Sequence, residues 1–466
     1  MKRYYLLLIL CSFSLTLFGQ PGEHQEIDNL FVEWENDQSP GAAIGIIKEG
    51  KLIYSKAYGI ANLDYGIPIT NDSKFYIAST SKQFTAACIA LLSIEGKIGL
   101  DDNIREYLPE IPDYGKEITI RHLVHHTSGL RDYLVLMYLA GESFEDYFSI
   151  RDGIKKLEKQ KALNFSPGEK YQYSNSGYIL LAEIVNRTSG MTIRQYAEKN
   201  IFQVLGMTNT FFNDDHKEIT KNRVISYQSQ ADGTYKRFLQ NFDALGDGNL
   251  LTTVNDLFLW DQNFYNKTLG GKELEDIMLT PGVLNNGDTL DYAFGLIHGE
   301  YKGLKTISHS GGMLGFSTQF VRFPKLGFSV IVLANRLDAN ASHKAFQIAD
   351  ILLEDKFVDQ SEKKETKGNI PNTKNTKKNI DHSKLKLEDY IGRFYSEELD
   401  TSYLLILEEE KLKLQIADYP ARELTIHGVD SFTIDLGLIR FIRSKGVITA
   451  FELDAIGETN LKFEKE

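Results

Sequence analysis

The 466-residue chain has only two cysteines, Cys11 and Cys88, and Cys11 lies within an apolar first twenty residues. Removing that segment leaves Cys88 alone, which excludes an internal disulfide. A single thiol on an apolar helix reads as a buried core residue. Positive charge is also short: 52 Lys and Arg against 64 Asp and Glu give a formal charge of −12. So acidic a chain is a poor match for nucleic acid or for an anionic membrane surface. Past residue 20 no apolar run reaches the roughly 20 residues that a membrane-spanning helix needs. What remains is ordinary globular material, 42% hydrophobic and 25% charged, long enough for two or three domains of roughly 150 residues.

The first twenty residues have the layout of a secretory signal peptide. Lys2 and Arg3 supply the positive end, residues 6–17 are mostly apolar, and Gly19-Gln20 marks an imperfect cleavage region. An uncleaved anchor is the alternative. A lipoprotein at Cys11 is disfavoured because Leu8-Ile9-Leu10 lacks the small residues expected there. The implied location is periplasmic or secreted.

Residues 43–47 and 52–54 are strand-like and read as a hairpin around Glu49-Gly50. After Ser79, Phe84, Ala87, Cys88 and Leu91 recur at i, i+3, i+4, i+7, the pattern of a helix burying one face, and Gly96 is its natural stop. Helix-like and loop segments fill much of residues 100–270. A second hairpin spans 318–323 and 328–334 around Pro324–Gly327; its last strand is almost wholly apolar, as a strand covered on both faces should be. A helix over 341–353 follows. Strands at both ends with helices between predict an α+β fold whose sheet is closed by both ends of the domain. Residues 359–384 are rich in Lys, Asn and Thr with hardly any apolar side chain, the composition of a flexible linker. Beyond it, residues 385–466 alternate: Leu412, Leu414 and Ile416 face one way, Lys411, Lys413 and Gln415 the other. Further short strands over 431–434, 438–442, 447–453 and 461–463 predict a small antiparallel β-barrel or sandwich.

Chemistry enters with Ser79-Thr80-Ser81-Lys82, which places a hydroxyl and an amine about one helical turn apart. A serine alcohol needs a neighbouring base, and a desolvated lysine amine can be one. The spacing recurs at Ser361–Lys364 and Ser383–Lys386, in or beside the linker, where no scaffold would hold the pair. Two further motifs set Ser79 apart: Tyr173-Ser174-Asn175, preceded by Ser166-Pro167-Gly168, and His309-Ser310-Gly311-Gly312 ahead of the strand at 318–323.

In this order the three motifs resemble those of the serine β-lactamase and penicillin-binding-protein superfamily. They are most similar to its branch of class C β-lactamases, D-Ala-D-Ala carboxypeptidases, D-aminopeptidases and esterases. Ile118-Thr119-Ile120-Arg121-His122-Leu123, His126-Thr127-Ser128-Gly129-Leu130, Leu205-Gly206-Met207 and Tyr292-Ala293-Phe294-Gly295 fit the same pattern. The segment Tyr390-Ile391-Gly392-Arg393-Phe394-Tyr395 is similar to the lipocalin-like barrel often appended to such hydrolases. The resemblance implies a β-lactamase/transpeptidase-like domain over 21–358, with a sheet flanked by helices plus an all-helical region, and a barrel domain over 385–466. It implies Ser79 as nucleophile, with Lys82 and Tyr173 as acid–base groups whose division of labour the motifs leave open. The oxyanion hole would be the backbone N–H groups of Ser79 and Gly312. Asn175 would bond the substrate or Lys82, and His309, Ser310 and Gly311 would line the substrate strand. The glycines make sense if a side chain there would block the substrate's approach.

The implied activity is that of an exported, cofactor-independent serine hydrolase working through an acyl-enzyme on amides or esters. D-amino-acid peptides or small esters are the expected substrates, with weak β-lactamase activity at most. The alternative is a non-catalytic sensor that binds penicillin or peptidoglycan fragments on the same scaffold. Two departures stand out. His309 replaces a common lysine and is charged only part of the time at neutral pH, so a carboxylate-bearing substrate would be held less firmly. Asn249, in Gly246-Asp247-Gly248-Asn249-Leu250, sits where relatives commonly have glycine. His122, His125 and His126 suggest a metal site, but no acidic residue lies between them as a zinc-hydrolase helix requires, and no metal is assigned.

Overall fold

The computed structural model describes residues 21–358 and 385–466. The segments read from sequence as a signal peptide and a linker, with Ser361, Lys364 and Ser383, lie outside the described residues. The central sheet has six antiparallel strands: β1 (Ala42–Lys48), β2 (Lys51–Tyr58), β3 (Ile297–Tyr301), β4 (Leu304–Met313), β5 (Phe316–Phe323) and β6 (Phe328–Ala334). Their order is β3-β4-β5-β6-β1-β2. Glu49 and Gly50 join β1 to β2 with φ of 49° and 75°, the pair of left-handed residues that a tight hairpin turn demands. Strands from both ends of the domain meet at β1 and β6, with Ile44 opposite Val332 and Ile46 opposite Val330.

Side chains alternate across these two strands, and both faces are covered. Ile44, Ile46, Val330 and Val332 pack with Phe31, Trp34 and Ile348 under α1 (Pro21–Asn29) and the last helix of the domain, Ala341–Leu353. Ala43, Ile47, Ile331 and Leu333 face the other way, into a core shared with Phe84, Leu257 and Trp260. This double coverage explains why 328–334 is apolar throughout. On that second face lie α2 (Lys82–Ile94), α3 (Tyr133–Ala140) and α4 (Asn175–Ser189). Gly96 ends the α2 segment at φ 67°, as a helix stop should.

Residues 392–465 form a nine-stranded antiparallel sheet: β7 (Gly392–Ser396), β8 (Thr401–Glu408), β9 (Lys411–Ile416), β10 (Arg422–Glu423), β11 (Thr425–Gly428), β12 (Ser431–Ile434), β13 (Gly437–Ser444), β14 (Val447–Ala455) and β15 (Glu458–Lys465). The edge strands are β10 and β11, which are consecutive in the chain, so the sheet curls into a nearly closed barrel. Its interior is filled by its own rings: Phe451 and Phe463 lie 4.6 Å apart, Tyr403 and Phe463 4.3 Å, Phe394 and Phe451 5.1 Å. Leu412, Leu414 and Ile416 point inward with them.

Candidate active site

Ser79, the candidate nucleophile, sits on a sharp turn. Ile77 N–H donates to Leu250 O at 3.0 Å. Ala78 then takes φ 47°, a left-handed conformation that costs a residue with a Cβ roughly 1–2 kcal/mol. Residues Ala78–Ser81 make one 3₁₀ turn, and α2 begins at Lys82. The turn leaves Ser79 partly exposed while Lys82, one turn on, is wholly buried.

Lys82 Nζ donates to three oxygens: Ser79 Oγ at 3.0 Å, Asn175 Oδ1 at 2.8 Å and the backbone carbonyl of Asp247 at 2.7 Å. Two of these acceptors cannot donate. The Asn175 amide is oriented by its own Nδ2–H, which donates to Asp132 Oδ2 at 2.9 Å, so Oδ1 must face the lysine. A neutral Lys82 amine therefore directs its two N–H bonds at Asn175 and Asp247. Its lone pair is left for the Ser79 hydroxyl. Burial pushes the Lys82 amine down to about 8, with the Asp247 and Asp132 carboxylates opposing that fall.

Asp132 organises two helices at once. Its Oδ1 accepts from Leu134 N and Val135 N at the start of α3, and its Oδ2 accepts from Asn175 N, at 2.6 Å, at the start of α4. A carboxylate at two helix N-termini meets unpaired N–H groups and two positive dipole ends. Burial nevertheless raises its pKa. Asp247 is also buried and pushed up to about 6; its Oδ2 accepts from Tyr133 Oη at 2.9 Å.

Tyr173 is half-buried with its Oη shut off from solvent, and desolvation raises its pKa well above the ordinary value, with the nearby Ser79 hydroxyl opposing. Its Oη has no well-formed hydrogen bond among the described residues. The ring is held by His126, centroid to centroid 4.2 Å, and Lys82 Nζ lies 5.0 Å from its centre. His126 takes a hydrogen bond on Nδ1 from Ser174 N–H at 3.1 Å, which ties the ring to the segment it supports.

The third motif lies on β4. Because β3 pairs with β4 only as far as Ser308, residues 309–313 have a strand partner on the β5 side alone. His309 and Gly311 are buried, Ser310 and Gly312 exposed. The His309 ring bonds Ser310 O through Nδ1 at 2.6 Å and Tyr292 Oη through Nε2 at 3.2 Å. Ser310 O can only accept, so Nδ1 carries the proton and Nε2 accepts from Tyr292. Burial, with Lys82 beside it, pushes His309 down to about 4. It is therefore neutral at neutral pH, not partly charged as its ordinary pKa suggests, and both its nitrogens are engaged inside the protein.

The profile of the Beta-lactamase family matches residues 27–353. The chain belongs to that family. Its fold and family make it a hydrolytic enzyme of the serine type. Penicillin-binding protein 4* of Bacillus subtilis is 30% identical over 389 residues, covering 79% of this chain and 82% of the relative. A D-aminopeptidase of Brucella anthropi is 28% identical over 321 residues, covering 68% of this chain but only 60% of that protein. Among solved structures, an octameric penicillin-binding protein homologue from Pyrococcus abyssi aligns with a TM-score of 0.61 at 22% identity, over 95% of this chain and 99% of that one. It therefore shares the fold of barrel and catalytic region together.

Within this Beta-lactamase-family fold, the reason for Gly311 differs from the one the sequence suggests. A Cβ there would lie 2.3 Å from Ile77 O and 2.5 Å from Thr318 Oγ1. The glycine thus admits the turn that carries Ser79, not the substrate. At Gly312 the nearest atom to a Cβ would be Leu337 Cδ1 at 3.6 Å, so the fold itself leaves room for a side chain. Asn249 holds φ 65° and donates from Nδ2 to Phe242 O, so asparagine fills a left-handed position that suits glycine and adds a tether. Gly295, at φ 67°, lets its loop press on the backbone of Lys82 and Gln83 and so delivers Tyr292 to His309.

The three histidines make separate structural contacts. His122 Nδ1 accepts from Thr119 N, His125 lies between Arg121 O and Thr280 O, and His126 supports Ser174. Sequence reasoning missed Asp132 and Tyr133 entirely. It named Asp247 only as part of a loop and Tyr292 only as part of a supporting segment. Asp132 was legible as an N-cap ahead of the apolar run Tyr133–Ala140; the carbonyl of Asp247 leaves no mark on residue type.

Proposed function

We propose that the chain is an exported hydrolase that forms an acyl-enzyme on Ser79 and acts on amides or esters of D-amino-acid type. The observation that carries this reading is the wholly buried Lys82 amine, bonded to two obligate acceptors with its third direction on Ser79 Oγ at 3.0 Å. The neutral amine takes the hydroxyl proton as Oγ attacks the carbonyl carbon. Charge that develops on the carbonyl oxygen is met by the N–H groups of Ser79 and Gly312; an oxyanion donor of this kind is worth roughly 2.7–4 kcal/mol. Tyr173, whose phenol keeps its proton at neutral pH, hands that proton to the leaving amine or alcohol, and Lys82 restores it. Water then enters by the reverse route and releases the acid. Lys82 is thus the base and Tyr173 the acid, because the lysine loses its proton far more readily.

Substrate class follows from His309. A neutral imidazole with both nitrogens engaged offers no cation to a substrate carboxylate. That favours D-amino-acid amides, aminopeptidase-type peptides and small esters over carboxylate-terminated peptides and β-lactams. Relatives named D-aminopeptidase, 26–28% identical, support the same class. The test is a fluorophosphonate probe, followed by a panel of a p-nitrophenyl ester, a D-amino-acid anilide, a D-Ala-D-Ala peptide and a chromogenic cephalosporin. Wild type is labelled and turns over the ester and anilide best, and Ser79→Ala is silent in both. Undiminished labelling of Ser79→Ala refutes the nucleophile. Labelling with no turnover anywhere on the panel favours a sensor.

A further inference from the structure

The barrel reaches the catalytic lysine through one turn and one tripeptide. Between β14 and β15 the chain passes Ile456 and Gly457, at φ 53° and 92°, and arrives at Glu458, which is 1% exposed. Glu458 Oε1 accepts from the backbone N–H of Asp132 at 3.0 Å, and Oε2 accepts from Asn164 Nδ2 at 2.8 Å. Thr459 N donates to Asn164 Oδ1 at 3.1 Å, and Thr459 O accepts from Arg131 Nη2 at 2.8 Å. Arg131 is itself buried and pairs through Nη1 with Glu398 of the barrel. On the other side of the site, Gln172 Nε2 donates to Gly457 O at 3.1 Å, one residue before Tyr173.

Each member of the tripeptide then points somewhere different. Arg131 holds the barrel. The Asp132 carboxylate holds the Asn175 amide, one acceptor of Lys82. Tyr133 Oη holds the Asp247 carboxylate, and the carbonyl of Asp247 is the other acceptor. The barrel packs its own aromatic rings in its interior. Several of its buried polar contacts fall on the residues flanking the site.

We infer that Glu458 is a positioning residue for catalysis: from the barrel it fixes the backbone at Asp132 and thereby sets, through Asn175, the direction of the Lys82 amine on Ser79. This inference rests on the proposed roles of Ser79 and Lys82. Misplacing a catalytic group by an ångström costs up to about 100-fold in rate, and the effect belongs in kcat because the substrate does not touch Glu458.

The experiment uses the full-length protein and a p-nitrophenyl ester. Glu458→Gln places an amide N–H against the Asn164 amide N–H, or against the Asp132 N–H; either way two donors collide. The expected result is a kcat reduced between about 10- and 100-fold with KM little changed. Pairing it with Asn164→Asp restores a donor–acceptor match and the original net charge, and should recover most of kcat. Lys161→Ala removes an exposed ion pair from the same docking surface, that with Glu397, and should leave kcat alone. A folded Glu458→Gln with wild-type kcat overturns the inference, as does a double variant that folds but stays as slow as the single. If Glu458→Gln does not fold, Asn164→Ala decides: it removes only the outer bonds of the turn, so a fall in kcat at constant KM supports the inference and an unchanged kcat overturns it. Probe labelling of Ser79→Ala separates the two readings, since its retention defeats the nucleophile whatever the Glu458 variants do.

Discussion

If Lys82 is the base, its protonation must govern the rate of acylation, and the structure says where. Burial lowers the amine from 10.5 to about 8, a shift of the balance toward the neutral form by about 3 kcal/mol relative to water. At pH 7 about 9% of the enzyme then carries a free amine, at pH 8 about half and at pH 9 about 91%. With an amide substrate, kcat/KM should therefore rise about fivefold from pH 7 to 8, less than twofold from 8 to 9, and then level. A lysine at its ordinary value would instead give about tenfold for each of those steps. Above pH 7 Asp247, pushed up to about 6, has largely lost its proton, whereas Glu458, pushed up to about 7, completes its own titration only near pH 8, so the step from pH 8 to 9 is the cleanest. The Asp247 charge opposes the fall in the Lys82 pKa. Asp247→Asn keeps an acceptor for Tyr133 Oη and removes that charge, so the inflection should move to lower pH. Stopped-flow acylation with the anilide across pH 6.5–10, wild type against Asp247→Asn, measures both. A wild-type profile still climbing tenfold per pH unit at pH 9 refutes the lowered Lys82 pKa, and an inflection that moves upward in Asp247→Asn refutes the assignment of Lys82 as base.

Tyr173→Phe removes the proton donor while leaving the ring against His126; kcat on a D-amino-acid anilide should fall by about 10²–10⁴. The fall on a p-nitrophenyl ester should be far smaller, since its leaving group departs as an anion, and equal losses on both substrates would assign Tyr173 another role. Gly311→Ala drives a Cβ to 2.3 Å from Ile77 O. Thermal unfolding should show a loss of about 1–3 kcal/mol together with lost labelling, whereas Gly312→Ala, with its nearest neighbour at 3.6 Å, should fold as wild type does. Equal melting temperatures for the two variants would contradict the packing described for the nucleophile turn.

What could be read from residues alone follows from what leaves a mark on residue type. The hairpin over 42–58 is announced by Glu49-Gly50, and the doubly covered strand Phe328–Ala334 by its unbroken apolar run. In the barrel, Lys411–Ile416 alternates cleanly and was legible, whereas Thr401–Glu408 carries five successive apolar residues, Tyr403 to Leu407, and hides its period. The same rule sorts the active site. Ser79, Lys82, Tyr173, Asn175 and His309 stand in motifs that are read by side-chain type. The groups that aim Lys82 are a backbone carbonyl at Asp247 and a carboxylate at Asp132 that looks like any helix cap. The group that holds Asp132 is a backbone N–H bonded to Glu458, 326 residues away. Backbone partners have no residue signature, and partners this distant have no spacing. That is why the barrel reads from sequence as an appendage, while its Glu458 bonds the backbone of Asp132, whose carboxylate orients Asn175 on the Lys82 amine.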